Sequence, residues 1–110
     1  VSVIKEIDSG QLEERLASDN NLYLLDIRSD AEVMHGVLPH SRHLPMQMIP
    51  ASLSALPRDQ EIVLYCRSGV RSFHASTFLM QQGFDNVINL KGGIIDWARS
   101  GYEIVPYSRG

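Results

Sequence analysis

Residues 61–83 read EIVLYCRSGVRSFHASTFLMQQG, and this stretch decides the fold. It opens on an unbroken apolar run, Ile62-Val63-Leu64-Tyr65. Such a run, rich in β-branched and aromatic side chains, predicts a strand buried on both faces. Cys66, the one cysteine of the chain, follows directly. A polar turn, Arg67-Ser68-Gly69-Val70-Arg71, then leads into a helix predicted from Ser72 to about Gln82. Gly83 and Phe84 predict its stop, with glycine left-handed and Phe84 folded back on Leu79. A thiol thus stands at the C-terminal end of a central strand, before a helix N-terminus. Open α/β sheets bind their ligands there.

The turn has its own chemistry. An unperturbed cysteine has a pKa of ~8.5 and reacts only as the thiolate. Backbone N–H groups of a tight loop can converge on the sulfur as an anion nest. The following helix turns its unpaired N–H groups and positive dipole end toward the same place. Arg67 and Arg71 add two positive charges, and no acid lies between Cys66 and Ser72. A pKa lowered by about two would leave Cys66 largely ionised at neutral pH. Gly69 supplies the positive φ such a loop needs. A lone cysteine more often packs as a small hydrophobe, but this setting favours reactivity. Arg67 reads equally well as solvated surface, Arg71 less so.

Working outward, the other strands carry the same signature. Val1–Ile7 reads as a short edge strand, and Asp8 or Ser9 caps a helix through about Ala17, with Leu12 and Leu16 inward. Asp19-Asn20-Asn21 forms a turn before the buried strand Leu22–Ile27. Ser29 and Glu32 fit a capping box for a helix from Asp30 to about His35. A short strand is expected over Ser41–Leu44, a loop over Pro45–Ile49 and a brief helix over Pro50–Leu56. Val87–Leu90 is the last strand, followed by a helix over Ile94–Ser100 and a loose tail from Tyr102 to Gly110. Strands alternating with helices imply right-handed crossovers and a parallel sheet covered on both faces.

Composition narrows the function. The chain has 110 residues, 44% hydrophobic and 21% charged, as a soluble globular protein does. A net charge of −3 with no basic tract gives no reason to expect nucleic acid. No apolar run is long enough to span a membrane, and no signal-peptide pattern is present. One cysteine excludes an internal disulfide and a cysteine-cluster metal site, and suits a reducing, cytoplasmic setting. His35, His40, His43 and His74 hold no pair at helical i, i+4 spacing, and most read as surface residues. No metal and no cofactor is expected. The chain begins at Val1, not Met, as a trimmed protein or a piece of a longer one does.

The segment Cys66-Arg67-Ser68-Gly69-Val70-Arg71-Ser72 resembles the active-site loop of the rhodanese (sulfurtransferase) family. Two further blocks match in order. Asp26-Ile27-Arg28, then Glu32 and Gly36-Val37-Leu38-Pro39, resemble the family's second block, with His40 where the family has glycine. Leu90-Lys91-Gly92-Gly93 through Trp97 resembles its third, with Ile94 where an aromatic is frequent, which would alter one pocket wall. The resemblance runs from about Ile4 to Ile104. It implies a single rhodanese domain over residues 1–110, with an ordered core about 4–104. The implied architecture is a three-layer α/β fold around a five-stranded, mainly parallel sheet with helices on both faces. Phosphatases and arsenate reductases on a related fold carry five residues between Cys and Arg. Here four separate Cys66 from Arg71, a size for sulfur and not for a tetrahedral phosphate.

The resemblance implies a sulfurtransferase working through a Cys66 persulfide. A small anionic donor such as thiosulfate would load Cys66, and an external thiol, cyanide or a protein acceptor would unload it. Arg67, Ser68, Gly69, Val70, Arg71 and Ser72 would form the substrate- and persulfide-binding loop. Asp26 and Arg28 are expected as supporting residues that hold neighbouring loops, and Trp97 as a core anchor. A carrier module that hands its persulfide to a partner protein is the alternative. A phosphatase or arsenate reductase is the third reading.

Overall fold

The computed structural model describes residues 3–18 and 21–108. Five strands form one sheet: β1 (Lys5–Ile7), β2 (Leu22–Asp26), β3 (Arg42–His43), β4 (Glu61–Tyr65) and β5 (Val87–Leu90). Their order is β1-β5-β4-β2-β3, and every pairing is parallel. An isolated antiparallel bridge, Val37 to Val105, lies outside the sheet. Parts of three expectations, Val1–Ser2 of the edge strand, Asp19–Asn20 of the turn and Arg109–Gly110 of the tail, lie outside the described residues.

β4 is the centre, and its sequence explains why. Ile62, Val63, Leu64 and Tyr65 are all fully buried, because alternate side chains enter two different cores. Ile62, Leu64 and Cys66 pack beneath α3 (Val70–Gln81) and the 3-10 turns Met46–Met48 and Pro50–Ala55. Val63 and Tyr65 pack on the other face, with Leu12 of α1 (Ser9–Ser18) and Trp97 of α4 (Gly93–Arg99). Three layers result, with Trp97 the core anchor its composition suggested. The switch in strand order falls between β2 and β4, so their C-terminal ends open a crevice. Cys66 stands there.

Local signals held where side chains close hydrogen bonds. Asp8 and Gln11 cap α1 reciprocally, Gln11 N to Asp8 Oδ1 at 2.8 Å and Asp8 N to Gln11 Oε1 at 3.0 Å. Ser29 and Glu32 form the expected box on α2 (Asp30–Val33). α3 ends in a Schellman motif: Phe84 N donates to Leu79 O and Gly83 N to Met80 O, both at 3.0 Å.

Other boundaries moved. α2 stops at Val33 because Gly36, at φ +117°, turns the chain back to the sheet. α3 starts at Val70, two residues earlier than expected. The tail from Tyr102 is docked through Tyr107. Val37 and Val105 exchange backbone bonds of 2.8 and 2.9 Å, and the Trp97 indole donates to Glu103 O at 2.7 Å. His43 is not at the surface: its Nε2 is 2.7 Å from Arg28 O, and Tyr107 packs edge-on against its ring.

Candidate active site

The loop after β4 folds around the Cys66 sulfur. Gly69, at φ +97°, precedes the first helical residue and brings no capping side chain. The sulfur takes that place. Sγ accepts from Gly69 N at 3.2 Å and from Ser72 N at 3.4 Å, with Ser72 Oγ also 3.4 Å away. Ser72 is the third residue of α3, so one of the helix's orphan N–H groups ends on sulfur. Burial pushes the thiol up. The bonds from Ser72, Gly69 and Ser68 outweigh it, and Cys66 lies below its ordinary pKa. The loop's own donors therefore lead in lowering it.

Two close approaches fix this geometry. A Cβ on Gly69 would stand 3.1 Å from Gly92 N and 3.2 Å from Leu90 O. A Cβ on Gly93 would stand 2.6 Å from Cys66 O. Glycine at both positions lets the N-terminus of α4 meet the loop, where Ile94 N donates to Cys66 O and Ile95 N to Arg67 O. Ile94 packs against the core cluster that holds Leu12 and Trp97, whereas Cys66 belongs to the cluster on the other face of the sheet.

The arginines part company. Arg67 is exposed and holds no ion pair among the described residues. Arg71 is held by Glu32 through two parallel bonds, Nη1 to Oε1 at 2.9 Å and Nη2 to Oε2 at 2.8 Å. Glu32 is drawn down to about 2, first by Arg71, against burial and with help from Ser29. Arg71 is raised, first by Glu32, and it also feels the charge of the Cys66 sulfur. Ser68 lies beside the sulfur, and Val70 presents its side chain to solvent.

Asp26 and Arg28 occupy the neighbouring corner. Asp26 accepts from Arg28 N at 2.9 Å, from Nε at 3.0 and 3.1 Å, and from Nη2 at 2.7 Å. The same Nη2 donates to Gly36 O at 2.7 Å. Arg28 thereby ties the end of β2 to the backbone at Gly36. Tyr65 adds to the corner: its hydroxyl accepts from Leu38 N at 3.1 Å, and burial raises its pKa well above the ordinary phenol. His40 adopts φ 65°, so the turn keeps its left-handed residue without glycine.

Two contributors escaped the sequence reading. Asn89, buried on β5, accepts the Ser72 hydroxyl and donates to Gly69 O at 3.2 Å and Glu6 Oε2 at 2.9 Å. A polar residue inside a buried strand was the available signal. Glu32 was read as a cap, and its bond to Arg71 spans 39 residues with no local trace.

The profile of the rhodanese-like domain family matches residues 8–100. The chain belongs to this family. Among its rhodanese relatives, a protein of Allochromatium vinosum named sulfurtransferase is 50% identical over 103 residues, covering 94% of this chain and 96% of that one. YtwF of Bacillus subtilis is 43% identical over 94 residues, covering 86% and 90%. The fold agrees with a rhodanese-related protein from Thermoplasma volcanium, TM-score 0.86 at 29% identity, covering 94% of this chain and 99% of that one. The rhodanese blocks at Asp26, Cys66 and Gly93 all converge on the β2–β4 crevice. No helix among the described residues is long and apolar enough to cross a membrane.

Proposed function

We propose that this rhodanese transfers sulfane sulfur through a persulfide on Cys66. The observation that carries this reading is the ring of donors converging on Sγ from Gly69 and Ser72. In the first step the Cys66 thiolate attacks the outer sulfur of a donor such as thiosulfate. The new S–S bond forms as the donor's S–S bond breaks, and the electron pair leaves with sulfite. The added sulfur carries the negative charge. The N–H groups of Val70 and Arg71, in the first turn of α3 and without intrahelical acceptors, are the next donors available to it. Such a preorganised cradle stabilises an anion as an oxyanion hole does.

In the second step an external nucleophile, cyanide, a thiol or a protein acceptor, takes the outer sulfur and frees the Cys66 thiolate. Cys66 is the sole cysteine, so no internal thiol resolves the persulfide. Ping-pong kinetics follow. A phosphatase reading fits less well, because the guanidinium a phosphate needs is occupied on both nitrogens by Glu32.

The test is intact mass after incubation with thiosulfate or the methanethiosulfonate anion, on the native chain and Cys66→Ser. The expected gain is one sulfur, ~32 Da, on the native chain alone and removed by cyanide. No gain with either donor sinks the reading.

A further inference from the structure

Arg71 is the second residue of α3, where a positive side chain faces the positive end of the helix dipole. The helix gains nothing from it there. Glu32 meets it with both carboxylate oxygens, while Oε1 also accepts from Ser29 N at 3.0 Å and Ser29 Oγ at 3.1 Å. The carboxylate is therefore fixed from two sides, and it keeps its charge at every pH above about 2. Both partners are open to water, with 40% and 27% of their side chains exposed, so the pair contributes little stability. Arg67 remains the one loop guanidinium without an ion pair among the described residues.

A fixed negative charge beside the loop acts on a donor in proportion to the donor's own charge. It is the repulsive element that specificity between similar ligands requires. On the sulfur-transfer reading above, we infer that Glu32 is a specificity-determining residue that selects singly charged sulfane-sulfur donors over doubly charged ones. The favoured class is thiosulfonates and organic persulfides, and thiosulfate is the disfavoured case. Methanethiosulfonate and thiosulfate are a matched pair, a methyl group in one standing where the other has an oxyanion. In each the Cys66 thiolate attacks the outer sulfur and the donor's S–S bond breaks. The electron pair leaves with methanesulfinate or sulfite, and charge balances in both.

The experiment measures kcat/KM for both donors with cyanide as acceptor, in the native chain, Glu32→Gln and Ser29→Ala. Glutamine at this position keeps one oxygen for the capping box, and it removes the charge together with one of the two bonds to Arg71. With a penalty of about threefold per donor charge, Glu32→Gln should raise thiosulfate about tenfold and methanethiosulfonate about threefold. The donor ratio then moves about threefold, and this shift shrinks as salt is added. Ser29→Ala weakens the cap but keeps the charge, so its ratio should stay native. An unchanged ratio in Glu32→Gln, or the same shift in Ser29→Ala, overturns the inference while leaving sulfur transfer standing. No transfer from either donor in the native chain overturns both.

Discussion

Two arginine–carboxylate pairs lie around the C-terminal ends of β2 and β4, and they differ in almost everything but chemistry. Asp26–Arg28 is buried, with 0% and 6% of the side chains exposed, and its members are two residues apart. Glu32–Arg71 is half open and joins residues 39 apart. The first has spent its donors on backbone: Arg28 Nη2 reaches Gly36 O, and Asp26 binds the Arg28 amide. The second binds little except itself and the Ser29 cap. Burial decides what each can do. A desolvated pair cannot lose a partner without stranding a charge, so it serves as scaffold. A hydrated pair adds little to the fold, so losing it costs little stability.

The largest effect should fall on the buried pair. Arg28→Met leaves the Asp26 carboxylate buried and unpaired, and should cost about 3–5 kcal/mol in urea unfolding. Arg71→Gln, on the open pair, should cost less than about 1 kcal/mol by the same measurement. Equal losses would erase the distinction.

A second comparison sets the loop's donors against its charges. Gly69→Ala forces a left-handed alanine against Gly92 N and Leu90 O. It should destabilise the chain by about 1–3 kcal/mol and misplace the N–H aimed at Sγ. The midpoint of the pH profile for iodoacetamide alkylation of Cys66 should rise. Arg67→Gln should leave that midpoint nearly where it is, because the causes that lower it are hydrogen bonds from Ser72, Gly69 and Ser68. A larger rise in Arg67→Gln than in Gly69→Ala would return the effect to the arginines.

Acid should act on the open pair. Glu32 titrates at about 2 in the folded chain, below its ordinary 4.5. Its pairing therefore stabilises the fold above pH 4.5, and this contribution fades as pH falls from 4.5 through about 2. Glu32→Gln should flatten that part of the acid-unfolding curve, modestly, since the pair is open to water. The smallest effect belongs to the turn held by Arg28. His40→Gly removes a left-handed side chain at φ 65° and should stabilise by up to about 1 kcal/mol in thermal unfolding.

The chain's sequence was enough for the strand, the thiol and the helix of residues 61–83, because each is written in near neighbours. An apolar run buries itself on both faces, and a glycine takes the left-handed turn. Asp8 and Glu32 were readable as helix caps for the same reason, three residues from their partners. Only the folded chain decided which charges face the sulfur. Glu32 meets Arg71 because β2 and β4 lie side by side, and Asn89 meets Ser72 because β5 runs beneath α3. The docked tail belongs to the same kind, since Val105 finds its partner at Val37. Local propensity sets the elements, which involve a few dihedral angles at a time. Pairings across the sheet depend on strand order, and a hydrogen bond between residues 39 apart leaves no periodicity in the chain that carries it.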